Sequence, residues 1–158
     1  RKKLLAQPHQ MVDKVFFMKN GIVRHYVKRD SRQFTKNFIK GPLFMIPSLT
    51  NFFLETPSRI YCETLSEINA VEWARKDLFN FADHHPNLYR FMLKGVTKAF
   101  HKKELKEIAH NELDAQNRYL NFLQEFPTLA HEIPAQYIAS YLGIRPETLS
   151  RIRAKCIS

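Results

Sequence analysis

Cysteine is scarce: Cys62 and Cys156 are the only two in 158 residues, which excludes a disulfide scaffold and an all-cysteine iron-sulfur site. Both are expected to be reduced, with Cys62 buried in a strand. No apolar run approaches the roughly 20 residues a membrane span requires. The start, Arg1-Lys2-Lys3-Leu4-Leu5, lacks the apolar core and small-residue cleavage site of a secretory leader, so a soluble, cytoplasmic protein with no membrane partner is expected. There is no methionine at position 1 and the first apolar pair already reads as a strand, so an N-terminal segment of the same domain is expected ahead of Arg1. Metal-binding spacings are missing too. Neither His-Glu-x-x-His nor Cys-x-x-Cys occurs, and the strands hold no cupin-like His-x-His with a later acid. The seven histidines are therefore expected to be solvated or capping. No serine, histidine and acid fall into a recognisable nucleophile turn, so no catalytic residue, metal or cofactor is assigned and no enzyme is expected. Internal repeats and low-complexity tracts are absent.

Acidic residues are in deficit. Lys and Arg number 25 against 15 Asp and Glu, a net charge of +10, which suits a polyanionic partner because cations near phosphates release condensed counterions. Residues 1–76 carry 14 basic against 6 acidic residues, and residues 77–158 carry 11 against 9, so most of the excess lies in the first half. In the last stretch Arg145, Arg151, Arg153 and Lys155 nevertheless face a single acid, Glu147. Basic residues that merely keep a surface solvated give the same composition.

The first half reads as short strands. Leu4-Leu5, Val15 to Met18, Ile22 to Val27, Phe34 to Ile39, Leu43 to Ile46, Arg59 to Leu65 and Ile68 to Trp73 are separated by turn chemistry at residues 28–31, 40–42 and 55–58. Lys19-Asn20-Gly21 predicts a type I′ hairpin joining the second and third segments, since Asn-Gly tolerates positive φ. Strands at this spacing suggest a sandwich or jelly roll.

The second half changes period. Leu88, Met92, Gly95 and Ala99 recur at helical spacing, and Pro86 suits the first turn of that helix. Gly95 and Ala99 would let a second helix approach closely; burial against the chain's own strands needs the same pattern. Asp114 can cap a helix over residues 115–125, which Pro127 closes off.

Ile133 to Arg153 parses into two short helices. Pro134 opens the first, whose apolar face is Ile138, Ala139 and Leu142. Gly143 supplies a left-handed residue that ends it, Ile144 plugs the corner, and Pro146 opens the second, with Leu149 and Ile152 facing inward. Glu147, Ser150, Arg151 and Lys155 fall on the outer face. Such a helix can enter a major groove, Arg donating to guanine and Glu accepting from cytosine. An ordinary helical hairpin with solvated polar residues fits the periodicity as well.

Tyr-Ile-Ala-Ser-Tyr-Leu-Gly-Ile-x-Pro-Glu-Thr-Leu-Ser-Arg-Ile is similar to the DNA-binding signature of the Crp/Fnr family of bacterial regulators. Leu4-Leu5 and Val15 to Gly21 resemble that family's β-roll start, Phe79 to His110 its dimer helix, and Arg118 to Pro127 the helix leading into the reader. The resemblance implies an α+β fold: a double-stranded β-helix (jelly-roll-like) sensor over 1–85, a dimerisation helix over 86–113, and a winged helix-turn-helix over 114–158. Because the sequence stops at Ser158, little or no wing is expected. It also implies base reading by Glu147 and Arg151, phosphate or sugar contacts from Ser150 and Lys155, and backbone contacts from Arg145 and Arg153. Pro146 stands where the family's reading helix has another Arg, so half-site reading should differ there.

Family members that bind cyclic AMP hold the ribose with the carboxylate of a Gly-Glu-Leu stretch and the phosphate with the Arg of an Arg-Ser-Ala stretch. Here Ile46-Pro47-Ser48-Leu49 replaces the first, and in the second Ser58 aligns but Pro57 precedes it and Arg59 is displaced. Cyclic AMP binding is not expected. Arg59 either reaches a phosphate from its shifted position or is an ordinary surface arginine; Phe44, Phe52 and Phe53 either line an apolar ligand pocket or are plain core. The expected partners are double-stranded DNA at a palindromic operator, a second copy of the chain meeting it at Leu88, Met92, Gly95 and Ala99, RNA polymerase, and an unidentified small effector. A ligand-binding β-roll acting through protein contacts, its helical tail vestigial, is the alternative. A jelly-roll metalloenzyme is a third reading, excluded if the purified protein carries no metal.

Overall fold

The computed structural model describes residues 2–157, Ile157 by its backbone alone. By contacts the chain falls into two compact units, Arg1–Thr97 and Lys98–Ser158, a division placed within the long helix.

The first unit carries seven strands, β1 (Leu4–Ala6), β2 (Lys14–Asn20), β3 (Ile22–Arg29), β4 (Arg32–Lys40), β5 (Leu43–Met45), β6 (Tyr61–Thr64) and β7 (Asn69–Ala74). Each falls on one of the expected segments. They form two antiparallel sheets, a four-stranded one in the order β1-β6-β3-β4 and a three-stranded one in the order β5-β2-β7. Phe16, Met18 and Met45 of the second sheet bury in one apolar cluster with Val23 and Cys62 of the first. This is the two-layer core that the strand spacing predicts.

The expected hairpin at Asn20-Gly21 does not form. β2 pairs with β5 and β7, whereas β3 pairs with β4 and β6, so the chain crosses from one sheet to the other at Gly21. Gly21 does adopt positive φ, at +110°, but the reason is crowding: a Cβ there would sit 2.6 Å from Ile68 Cγ2 and 2.7 Å from the Glu67 carbonyl oxygen. The β3–β4 hairpin turns instead at Asp30-Ser31, where Asp30 takes φ +55° and Arg29 pairs with Arg32.

One helix of this unit, the short one after β5, lacks a periodic signal in the sequence. α1 (Leu49–Leu54) is short and drives Phe52 into the core; it ends in left-handed Glu55, whose carboxylate accepts from Arg75 Nη2 at 2.7 Å. α2 (Arg75–His84) leads to α3 (Pro86–Glu112), so the single helix expected over Phe79 to His110 is two. His85 between them is non-helical, φ −135° and ψ 76°, because a residue before proline is pushed out of the α region.

The second unit holds the end of α3 and four further helices, α4 (Ala115–Glu125), α5 (Leu129–Glu132), α6 (Ala135–Leu142) and α7 (Pro146–Ile157). Asp114 caps α4 as expected, accepting from the Asn117 N–H at 2.8 Å. Tyr119, Phe122, Leu129, Ile138, Ala139, Leu142, Leu149 and Ile152 form its buried interior.

Candidate nucleic-acid interface

Helix α7 is built from its turn outward. Gly143 closes α6 in the left-handed region, φ +70°, and the Ile144 N–H reaches back to the Ala139 carbonyl at 3.0 Å. A Cβ on Gly143 would lie 2.9 Å from Cε1 of His110, so glycine is required by space as well as by angle. Pro146 then starts α7 with a fixed φ and no wasted N–H. Ala139 and Leu149 are fully buried where the two helices cross.

Helical geometry sorts the polar residues of α7. Leu149 and Ile152 point inward; Glu147, Ser150, Arg151 and Lys155 are exposed and share the opposite face. Arg145, just before the helix, is also exposed. Arg153 is different. It is half-buried, its Nε donates to the Tyr119 hydroxyl at 3.2 Å and its Nη2 to the Ala130 carbonyl at 3.3 Å. The backbone-contact role expected of Arg153 is at odds with this placement, because its guanidinium ties α7 to α4 and α5.

Other side chains brace this unit from behind. Arg118 donates to the Leu113 carbonyl at 2.6 Å and to the Leu142 carbonyl at 3.2 Å, joining the residue after α3 to the last carbonyl of α6. Lys102 pairs with Glu125 at 3.1 Å, Glu125 accepts from the Tyr141 hydroxyl at 3.3 Å, and Lys106 Nζ sits 3.6 Å from the Tyr141 ring centroid. Burial, and then Glu125, push the Tyr141 phenol well above its ordinary range, so it stays a donor. Nothing in the local periodicity marks Arg118 or Arg153 as braces, since the Leu142 carbonyl that Arg118 reaches and the Tyr119 hydroxyl and Ala130 carbonyl that Arg153 reaches lie more than 20 residues away.

The residues proposed to hold a ligand do not converge. Phe52 is core, Phe53 is half-buried beside it, and both pack on Phe79. Phe44 is 47% exposed and meets Phe17, Trp73 and Phe91 instead. Ser58 is buried with its hydroxyl spent in its own loop, donating to the Ile60 carbonyl at 2.9 Å and accepting from the Ile60 N–H at 3.1 Å. Arg59 is exposed.

The expectation that the histidines are solvated or capping fails at His25. It is buried on β3 opposite Cys62, its Nε2 has no hydrogen-bond partner, and desolvation lowers its pKa to about 4. The strand alternation that buries it passes through a polar residue, which a hydrophobic pattern does not flag. Both cysteines are free, and burial pushes the Cys62 thiol upward. Among the described residues no group of three or more His, Cys, Asp or Glu could hold a metal ion, and no helix is long and apolar enough to cross a membrane.

On α3, Leu88 and Met92 are half-buried, whereas Gly95 and Ala99 are exposed and no atom lies within 4 Å of a Cβ built on Gly95. Tyr89, Leu93 and Phe100 are exposed large apolar side chains, Leu93 at 66%.

No family model matches the sequence, and no curated protein matches it by sequence. Solved structures do match. FixK2 from Bradyrhizobium japonicum superposes with a TM-score of 0.85 at 19% identity, over 98% of this chain and 80% of that one. The c-di-GMP responsive global regulator CLP of Xanthomonas campestris gives 0.73 at 16% identity, over 99% and 84%. A Eubacterium rectale protein assigned to the crp/fnr family of transcriptional regulators gives 0.68 at 12% identity, over 96% and 76%. At these identities the likeness is one of fold. The fold is that of Crp/Fnr-type regulators, a β-roll, a long helix and a C-terminal helical head.

Proposed function

We propose that the chain is a homodimeric, DNA-binding transcription regulator whose recognition helix is α7. The observation that carries this reading is the sorting of that helix: Glu147, Ser150, Arg151 and Lys155 exposed in one column, with Leu149, Ile152 and Arg153 packed behind. Arg151 lies one turn beyond Glu147, so both reach one groove floor and read bases, while Arg145, Ser150 and Lys155 contact the backbone. The likeness to FixK2 and CLP supports the same class. RNA polymerase is the expected protein partner of such a regulator.

The second copy meets α3 along the face shared by Leu88, Met92, Gly95 and Ala99, of which Gly95 and Ala99 are exposed with open space around Gly95. A two-fold dimer then presents two recognition helices roughly 34 Å apart, one DNA turn. Gly95→Trp should yield monomers in sedimentation; a dimer of unchanged strength moves the interface elsewhere. The roll's effector is a small molecule other than cyclic AMP, since no ribose carboxylate stands in the β5–α1 segment and Ser58 is committed to its own loop.

Selection from a random DNA pool, followed by a gel shift at physiological salt, tests the reading. A palindromic site retained at that salt is the expected result. Binding that vanishes with salt for every sequence would favour a β-roll that acts through protein contacts alone.

A further inference from the structure

Sulfur and imidazole donors meet in the interior of the roll. His25 on β3 and Cys62 on β6 are register partners, so their side chains stand on one face of the first sheet. Cys62 is fully buried with a free thiol, and His25 is only 8% exposed. Met18 and Met45, both fully buried, belong to the same core cluster as Cys62. In the second sheet Met45 stands opposite Phe16 and Met18 opposite Leu43, which makes the two methionines diagonal neighbours on one face. Apolar packing accounts for the thioethers, which fill irregular gaps in a core. It does not account for His25, whose Nε2 is buried with no hydrogen-bond partner.

A buried imidazole nitrogen, a thiol and two thioethers are the donors a soft metal ion takes. We infer that His25, Cys62, Met18 and Met45 form a binding site for copper(I). Binding joins the metal to the Cys62 sulfur and to His25 Nε2, with the thioethers of Met18 and Met45 as weaker donors. The Cys62 thiol gives its proton to solvent, and no electron is transferred. One thiolate against one monovalent cation leaves the site neutral, so the apolar interior takes up no net charge. Zinc would leave a positive charge there, and among the described residues no group of three His, Cys, Asp or Glu offers it a coordination set. Copper(II), magnesium and calcium call for nitrogen and oxygen donors that this cluster lacks. All four residues lie in the first unit, so the inference does not rest on the DNA reading of α7.

The test is a titration of the reduced full chain with copper(I) under argon against the chelator bicinchoninate, in a Cys156→Ser background that removes the exposed thiol. A single equivalent should be retained, with a thiolate-to-copper band in the near ultraviolet and both sulfur and nitrogen neighbours in the X-ray absorption spectrum; zinc(II) should not be held. Cys62→Ser should weaken retention at least roughly a hundredfold and His25→Leu at least roughly tenfold. Met18→Leu with Met45→Leu conserves volume, so this chain should keep its melting temperature while losing roughly threefold to tenfold in affinity. If the cysteine and histidine variants fail to fold, the methionine pair decides. A chain that yields all its copper to the chelator overturns the proposal, as does retention unchanged in Cys62→Ser, in His25→Leu or in the folded methionine pair. Zinc held as tightly as copper(I) overturns it too.

Discussion

The two units bury different kinds of side chain. Arg24, His25, Thr35, Ser48, Ser58, Glu63 and Thr64, the buried polar residues among those described, all lie in the β-roll, while the helical head packs aliphatic and aromatic side chains. Arg24 is fully buried on the sheet face that its neighbours Val23 and His25 turn away from; there it meets Glu63 at 3.3 Å, donates to Gln33 at 2.5 Å and lies over the Tyr26 ring. A dry core such as the head's is less sensitive to pH and salt than a polar one such as the roll's. The comparison teaches that the head's core depends little on protonation, and that the roll's depends on its buried polar groups.

The largest expected effect breaks the roll's ion pair. Glu63→Ala strips the carboxylate from a fully buried guanidinium and should cost about 3 to 5 kcal/mol in denaturant melts; Arg24→Met with Glu63→Leu should recover most of it. If the single variant costs no more than an ordinary surface change, the roll's interior is wetter than its burial implies.

Next comes acid. A histidine in an unfolded chain titrates near 6.5 and burial lowers His25 to about 4 in the fold, so between those values only the unfolded chain takes up the proton. The contribution is therefore fully present above pH about 6.5 and is lost at about 1.4 kcal/mol per pH unit on the way down to about pH 4, about 3 kcal/mol in all. His25→Leu should flatten that slope. An unchanged slope would put the proton elsewhere.

A smaller effect separates reading from bracing in α7. Arg151→Ala should lose about 1 to 3 kcal/mol per half-site on the selected sequence and little on random DNA, whereas Lys155→Ala should weaken all sequences alike and reduce the salt slope by about one ion per subunit. Arg153→Ala should lower the head's melting temperature instead. Equal losses on both duplexes for Arg151→Ala would remove it from base reading. The smallest is the cap: Asp114→Ala should cost about 1 kcal/mol and leave the acid profile of the roll untouched, since it belongs to the other unit.

The same comparison explains what could be read from the sequence. In the head the signals are local: Asp114 caps, Gly143 ends, Pro146 begins, and each acts within a few residues of itself. In the roll the strands were legible from their composition but their partners were not. Asn20-Gly21 specifies a backbone angle, which Gly21 adopts, and says nothing about which sheet the next strand joins; β3 joins β4 and β6, and β2 joins β5 and β7. The ligand-site residues failed to converge for a related reason, because Phe52 belongs to a short helix with no periodic signal and Phe44 to the opposite side of its sheet. Arg153 resembled its exposed neighbours in charge, and only its distant acceptors distinguish it.

The division of labour within α7 has an evolutionary consequence. Its grip on the head resides in Leu149, Ile152 and the guanidinium of Arg153, none of which shares the exposed column of Glu147, Ser150, Arg151 and Lys155. Substitutions in that column therefore cost the fold almost nothing, typically within about 0.5 kcal/mol. A lineage carrying this helix can change what the column meets one residue at a time, with each intermediate still folded.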